Sequence, residues 1–298
     1  MSSSTYKKSG IAQVLGNVTR FFKREEQPTE CATPEGNAVN KHKIGLSLAG
    51  GAALGYAHIG FLQAMEEAGI QPDCIVGTSM GAIMGMMYAA GYHPQQIKQI
   101  VKDEHMDRLT RLALPGVPKP GGLINTDRIQ KILLKYVSHN SFDRLKTRYY
   151  CCSSNMNTLQ PVYRGLGDQL VQYVMASAAM PAIFAPVSIN GVYFVDGGVH
   201  DNLPIQPLLD EKCNIRIASQ LVIEKPGRVK NPLLVWLHAF SYCSYATSFH
   251  NLDKFTDVVY IDPGIYWLED FKHIDALYEI GYNAGKEYFG KKTITTKD

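Results

Sequence analysis

From Lys43 onward the chain alternates between two kinds of hydrophobic pattern. Short unbroken apolar runs end in glycine or a polar turn, while longer stretches bring apolar residues back every three or four positions. Lys43-Ile44-Gly45-Leu46-Ser47-Leu48 and Cys74-Ile75-Val76 are runs of the first kind. They read as strands covered on both faces, which need no polar alternation. Between them Ile59, Leu62 and Met65 share one side of a predicted helix over 55–68, with Gly69 placed to cap it. An Ala- and Met-rich helix over 80–90 follows the second strand and stops at Gly91. Two successive strand–helix units imply βαβ packing and a parallel sheet.

Further helices are predicted over 94–105, 126–137 (Thr126 as N-cap), 168–178, 203–210, 232–250 and 272–289. Strands are predicted at Tyr149–Cys152, Val162-Tyr163, 215–223 and Val258–Ile261. Residues 186–196 read as a hairpin around Asn190-Gly191, a pair suited to a primed turn. Residues 113–122 form a Pro/Gly-rich loop. The expected fold class is α/β with a mostly parallel central sheet, in one domain over 43–290 with a tail at 291–298.

Residues 1–42 differ. They are polar, carry the charge run Lys23-Arg24-Glu25-Glu26, and hold one helical stripe of Ile11, Val14, Leu15, Val18, Phe21 and Phe22. Lys7, Lys8, Arg20, Lys23 and Arg24 flank that stripe. Such a basic amphipathic helix packs on a core or, through residues 7–24, lies on an anionic membrane surface; the first is the commoner use. Residues 25–42 read as a linker.

Composition narrows the class. With 298 residues, 45% hydrophobic and 19% charged, the chain can bury a sizeable core. A net charge of +3 does not suggest nucleic-acid binding. No window has the apolar length of a membrane span, and the N-terminus lacks the apolar core of a secretory signal. Cys31, Cys74, Cys151, Cys152, Cys213 and Cys243 form no Cys-x-x-Cys pair and no metal-type Cys/His cluster. No metal and no cofactor is expected, and the thiols read as reduced, in a cytoplasmic protein.

Three motifs carry chemistry. Gly77-Thr78-Ser79-Met80-Gly81 fits Gly-x-Ser-x-Gly between a strand and a helix. Glycines at both ends let the backbone turn sharply enough to lift a serine hydroxyl beside a helix N-terminus. Alone, the pentapeptide also suits a serine N-cap. Ala49-Gly50-Gly51-Ala52-Ala53-Leu54-Gly55 lies between the first strand and helix, where backbone N–H groups can hold a negative charge. It lacks the Gly-Lys-Ser/Thr of a phosphate loop, and Ala52 breaks the dinucleotide Gly-x-Gly-x-x-Gly. An oxyanion hole fits better, because the serine turn follows on the next strand. Val195-Asp196-Gly197-Gly198 places a carboxylate at a strand end with two glycines that permit close approach to another loop. Such a carboxylate can act as general base for the serine; alone it also reads as an ordinary Asp-Gly turn.

An α/β-hydrolase would need a late histidine. Of the nine histidines only His200 lies near a plausible acid loop, and Ser79 comes too soon after the first strand for that design. His58 reads as a helix residue that packs near the glycine loop rather than as a base.

Together the three motifs, with Ala57-His58-Ile59-Gly60 and Met180-Pro181-Ala182-Ile183-Phe184-Ala185-Pro186-Val187, resemble the patatin-like phospholipase family over residues 43–290. The chain looks most like the short bacterial members. The resemblance implies a three-layer α/β/α fold and a Ser–Asp dyad: Ser79 as nucleophile and Asp196 as base. It also implies an oxyanion hole from the amides of Gly50, Gly51 and Ala52, with Gly77, Gly81, Gly197 and Gly198 in support. The implied substrate is a phospholipid or other acyl ester; the cysteines read as cytoplasmic, and membrane contact through residues 7–24 would be peripheral at the inner membrane surface. Two departures stand out: Ala52 replaces the third glycine of the family's loop, and Leu54 replaces its basic residue. An alanine at 52 serves if its φ is negative and is strained if φ is positive. Two other readings stay open: an acyltransferase, and a lipid-binding protein with little turnover.

Overall fold

The computed structural model describes residues 42–106, 122–124, 127–223 and 231–291. The expected N-terminal helix and linker, most of the 113–122 loop, Thr126 and the tail after Lys291 lie outside these.

The buried runs form the centre of the sheet. Strands β1 (Ile44–Leu48), β2 (Cys74–Thr78), β4 (Arg148–Asn155), β9 (Ile215–Leu221) and β10 (Asp257–Ile261) lie in the order β10-β9-β1-β2-β4, all parallel. Strands β5 (Gln160–Arg164) and β8 (Val192–Asp196) pair antiparallel with β4, and β7 (Val187–Ile189) pairs antiparallel with β8. The mostly parallel sheet expected from the sequence is therefore present. The hairpin turn at Asn190-Gly191 has φ of 51° and 80°, the left-handed pair that Asn-Gly accepts cheaply.

Every residue of β1 and β2 is buried, because helices cover both faces. Leu46, Leu48 and Ile75 face one apolar layer, with α1 (Ala57–Glu67), α2 (Met80–Ala89), α5 (Leu170–Ser177) and α8 (Ile274–Lys291). Cys74, Val76 and Ala218 face a thinner layer with Leu203, Ile205 and Leu208, at α6 (Gln206–Asp210). Helix α2 is buried all round, which explains its lack of an amphipathic stripe. By contrast α3 (Pro94–Asp103) and α4 (Asp127–Tyr136) are amphipathic.

The structure departs from the predicted elements in three places. The first turn of the 55–68 helix is a separate 3₁₀ turn, Ala52–Tyr56, so α1 starts at Ala57. The 232–250 helix ends as α7 (Pro232–Thr247) and continues as a 3₁₀ segment, Ser248–Lys254. A two-stranded parallel pair, β3 (Gly122–Ile124) with β6 (Ala182–Phe184), has no signature in the sequence because each strand is only three residues long.

One long-range contact locks α1 to α8. A Cβ on Gly60 would overlap the carbonyl oxygen of Tyr278, and one on Gly281 would overlap that of Ala57. Bare backbones thus meet where α1 crosses α8. We predict that Gly60→Ala lowers unfolding stability by about 2 kcal/mol or more, since backbone cannot yield as a side chain can. A denaturant midpoint unchanged from wild type would contradict this packing.

Candidate active site

The two edges of β4 decide where the site forms. One edge carries β5 from Cys151 to Asn155. The other is shared: β2 pairs with it as far as Thr78↔Cys152, and β8 begins at the next position, Asp196↔Ser153. The C-terminal end of β2 therefore abuts that of β8. Ser79 and Asp196, far apart in sequence, emerge side by side.

Ser79 sits in the turn into α2 with φ 54° and ψ −122°, a conformation that L-residues adopt at a cost of about 1–3 kcal/mol. Its neighbours explain the glycines. A Cβ on Gly77 would come 2.5 Å from the carbonyl oxygen of Gly81, and one on Gly81 would overlap that of Leu48. The turn is thus folded on itself and pressed on the end of β1. The Ser79 N–H donates to Ser177 Oγ at 3.0 Å, from the buried last residue of α5.

Asp196 is 2% exposed. Its N–H donates to Ala179 O (2.9 Å), its carbonyl accepts from Ser154 Oγ (2.9 Å), and its Oδ1 accepts from Gly198 N–H (2.8 Å). Among the described residues Oδ2 has no hydrogen-bond partner. Burial pushes the carboxyl from 3.8 up to about 7, against the opposing pull of the Gly198 N–H and the Ser79 hydroxyl. The following glycines are required by contact: a Cβ on Gly197 would overlap the carbonyl of Cys152, and one on Gly198 would overlap Ser244 Oγ of α7.

Gly50, Gly51 and Ala52 line one small cavity with Ser79 and Asp196. Three free amides were expected there, and the structure corrects this to two. The Gly50 N–H is already committed to the Asn202 carbonyl at 3.1 Å. Among the described residues the N–H groups of Gly51 and Ala52 have no partner. Ala52 has φ 47°, so the alanine holds a conformation in which glycine is unstrained. Leu54 is buried and lines a small cavity with Val222, His238, Tyr242 and Trp267, so an apolar side chain stands at the family's basic position.

Two histidines hold the surroundings of the site by hydrogen bonds. His58 is fully buried between Ala49 O (Nε2, 2.8 Å) and Ser219 Oγ (Nδ1, 2.9 Å). A carbonyl only accepts, so Nε2 carries the proton and Nδ1 accepts from the serine. Burial holds this ring's pKa down at about 4, and it stays a neutral strut under the glycine loop. His200 reaches the site only indirectly. Its Nδ1 donates to Ser154 Oγ (2.8 Å), which holds the Asp196 carbonyl.

Asn202 lies six residues beyond Asp196. It is 2% exposed, and every polar group it has is used. Its Nδ2 donates to Gly50 O (3.3 Å) and Ser248 Oγ (3.2 Å), its Oδ1 accepts from Ser244 Oγ (3.0 Å), and its N–H donates to Thr247 Oγ1 (2.9 Å). It fastens the glycine loop to α7. Asp201 was missed; its carbonyl accepts from Thr78 Oγ1 (2.9 Å) and its Oδ2 from Tyr163 OH (2.6 Å). Ser154 and Ser177 were missed too, since no motif surrounds either serine.

A second cavity of about 210 Å³ opens from Ser79 and Ala52. Its walls are almost wholly apolar: Met80, Ile83, Met106, Met175, Met180, Phe184, Leu234, Leu237 and Phe271, with Glu269 the one charged side chain. A polar corner with a strained serine thus meets a long apolar recess.

The sequence profile of patatin-like phospholipase matches residues 46–209. This chain belongs to the patatin-like phospholipase family. Among curated relatives it is 26% identical over 277 residues to lysophospholipase nte1 of Aspergillus fumigatus. That alignment covers 83% of this chain but 18% of the fungal protein, so the chain spans under a fifth of that relative's length. It is 30% identical over 189 residues to an uncharacterized NTE family protein of Mycobacterium bovis, covering 63% of this chain and 52% of the relative. The crystal structure of VipD from Legionella pneumophila shares the fold, with a TM-score of 0.51 at 15% identity over 84% of this chain and 67% of that one.

The buried carboxylate gives a testable stability signature. Its folded pKa, about 7, exceeds the ordinary 3.8, so the fold favours the protonated form. Its ionisation therefore costs stability as pH rises from about 4 to about 7. Asp196→Asn should gain on wild type over that window, by about 4 kcal/mol at most, and show little difference below pH ~4. Parallel melting curves across the whole pH range would contradict this environment.

Proposed function

We propose that this chain hydrolyses acyl esters of lipids through an acyl-enzyme formed on Ser79. The observation that carries the reading is the buried, unpartnered Oδ2 of Asp196 in one cavity with Ser79. A carboxylate with a pKa of about 7 is ionised in a useful fraction at neutral pH and still basic enough to take a proton. Asp196 takes the Ser79 proton as the hydroxyl oxygen bonds to the ester carbonyl carbon. The oxyanion is held by the Gly51 and Ala52 amides and by the N-terminal end of α2. The carbonyl re-forms, the ester C–O bond breaks, and the leaving alkoxide takes the proton from Asp196. Water then repeats the sequence and releases the fatty acid.

The substrate class follows from the recess. An apolar cavity that starts at the serine suits an acyl chain, and burying a chain there contributes about 0.8 kcal/mol per methylene. The name of the fungal relative, a lysophospholipase, agrees with this class. Neutral His58 and remote His200 support a dyad without imidazole.

Ser79→Ala should lower kcat on p-nitrophenyl esters by about 10⁴-fold or more and abolish labelling by a fluorophosphonate probe. Equal labelling of wild type and variant would sink the proposal. In wild type, kcat/KM should rise with pH through an apparent pKa of about 7, the base limb of Asp196. At the strained loop, Ala52→Gly should retain or raise kcat, while Ala52→Val, whose branched Cβ disfavours φ 47°, should lower it about tenfold. Equal kcat for the two would show that the Ala52 amide takes no part.

A further inference from the structure

Strand β1 carries a glycine, Gly45, in its buried interior. Gly45 pairs in register with Cys74 of β2 on one side and with Arg216 of β9 on the other. A glycine inside a strand gives up packing and backbone entropy, and it commonly marks a close approach. Here the approach is made by Cys213, in the turn between α6 and β9. A Cβ on Gly45 would stand 3.0 Å from the Cys213 Cβ, 3.0 Å from its Sγ and 3.0 Å from Leu208 Cδ2. Cys213 therefore occupies the space that a side chain at position 45 would take.

That space adjoins Cys74. Residues in register on neighbouring strands point to the same face, and such strands run about 4.8 Å apart. Cys74, Leu208 and Cys213 accordingly share one buried layer. Within it the Cys74 thiol donates a hydrogen bond to the Cys213 sulfur. Backbone bonds fix this meeting: the Cys213 N–H donates to Leu208 O at 2.9 Å, and its carbonyl accepts from Arg216 Nη1 at 2.7 Å. Two thiols in hydrogen-bonding reach need only a small closure to meet at the S–S length of about 2.05 Å. The two sulfurs are not equivalent. The shared hydrogen bond, and burial with it, push the Cys74 thiol well above the usual range. The same bond draws the Cys213 thiol down against burial, with the Lys43 charge helping and the Asp73 and Glu211 carboxylates opposing. A sulfur favoured as thiolate beside one kept protonated is the arrangement of an attacking and a resolving thiol. Cys213 also lies at the edge of its layer: the next residue, Asn214, accepts from the N–H of Lys43, whose side chain is 39% exposed.

We propose that Cys74 and Cys213 are an oxidation site, at which hydrogen peroxide converts the dithiol to a disulfide that staples β2 to the turn before β9 and stabilises the fold. The Cys213 thiolate attacks one peroxide oxygen and the O–O bond breaks. The products are a sulfenic acid on Cys213 and, once the leaving hydroxide takes a proton, water. The Cys74 sulfur then bonds to the Cys213 sulfur and displaces its hydroxyl, which leaves with the Cys74 proton as a second water. Two thiols are oxidised and one peroxide is reduced. The bond closes a long loop of chain, the case in which a cross-link restrains the unfolded state most. Cys74 and Ser79 stand at opposite ends of β2, so the staple is independent of the hydrolase reading.

The test uses the full chain, treated with hydrogen peroxide, unfolded in an alkylating reagent and digested without reductant. Mass spectrometry should find the Cys74 and Cys213 peptides linked, lighter by two hydrogens than the two thiol peptides together. The same treatment should raise the melting temperature by about 5 °C, and dithiothreitol should return it to the starting value. In Cys213→Ser the linked peptides and the shift should both be absent. Cys213→Ala repeats the comparison without a polar atom in the buried layer. Recovery of both cysteines in alkylated form would overturn the proposal, as would Cys213 found as sulfinic acid with Cys74 still free. A melting shift that survives in Cys213→Ala would overturn it in favour of oxidation elsewhere. A linked pair with an unchanged or lowered melting temperature would overturn the staple, since the fold would then have to distort to admit the bond.

Discussion

A carboxylate at 2% exposure with one unpartnered oxygen is an expense that the rest of the structure is arranged to hold. Isolated burial of an ionised group costs several kcal/mol, and the usual escape is protonation or a cationic partner. Among the described residues no cation sits against Asp196. It is held instead by its backbone: the Ala179 and Ser154 bonds and the two glycines that let it press against β4 and α7. The shared edge of β4 is what brings this strand end to the end of β2. Were β8 shifted by one residue, the Asp196 side chain would leave the Ser79 side of the sheet.

The glycine loop depends on the same frame. His58 and Asn202 grip it from opposite sides, one at the Ala49 carbonyl and the other at both backbone groups of Gly50. That grip consumes the Gly50 amide and so sets which donors stay free. The loop's geometry is imposed by its struts, which is how an alanine can be kept at φ 47°.

Much of this was legible in the sequence. The buried runs gave β1 and β2 because doubly covered strands need no alternation, and Asn190-Gly191 gave its hairpin because few pairs take two positive φ values. The tight turns at Ser79 and Asp196 were legible because glycines mark where backbones touch. The supporting residues were not. Ser154, Ser177 and Asp201 are single polar positions whose meaning comes from partners far away in sequence. The free-donor count was not legible either, since it turns on the Asn202 carbonyl, and any residue could have supplied one. Residue 54 was readable as a departure but its surroundings were not, because the cavity beside it is built from the segment after β9, α7 and the loop before α8.

The two departures in the loop belong together physically. A basic residue at position 54 would point into the space that Val222, Tyr242 and Trp267 now fill, and its charge would have to be paired there. Leucine, buried there, removes that need. The glycine loop is tied to α7 by Asn202, which engages Ser244 and Thr247. Helix α7 also walls the apolar recess with Leu234 and Leu237. A displacement of α7 would therefore be felt at Gly50 through Asn202.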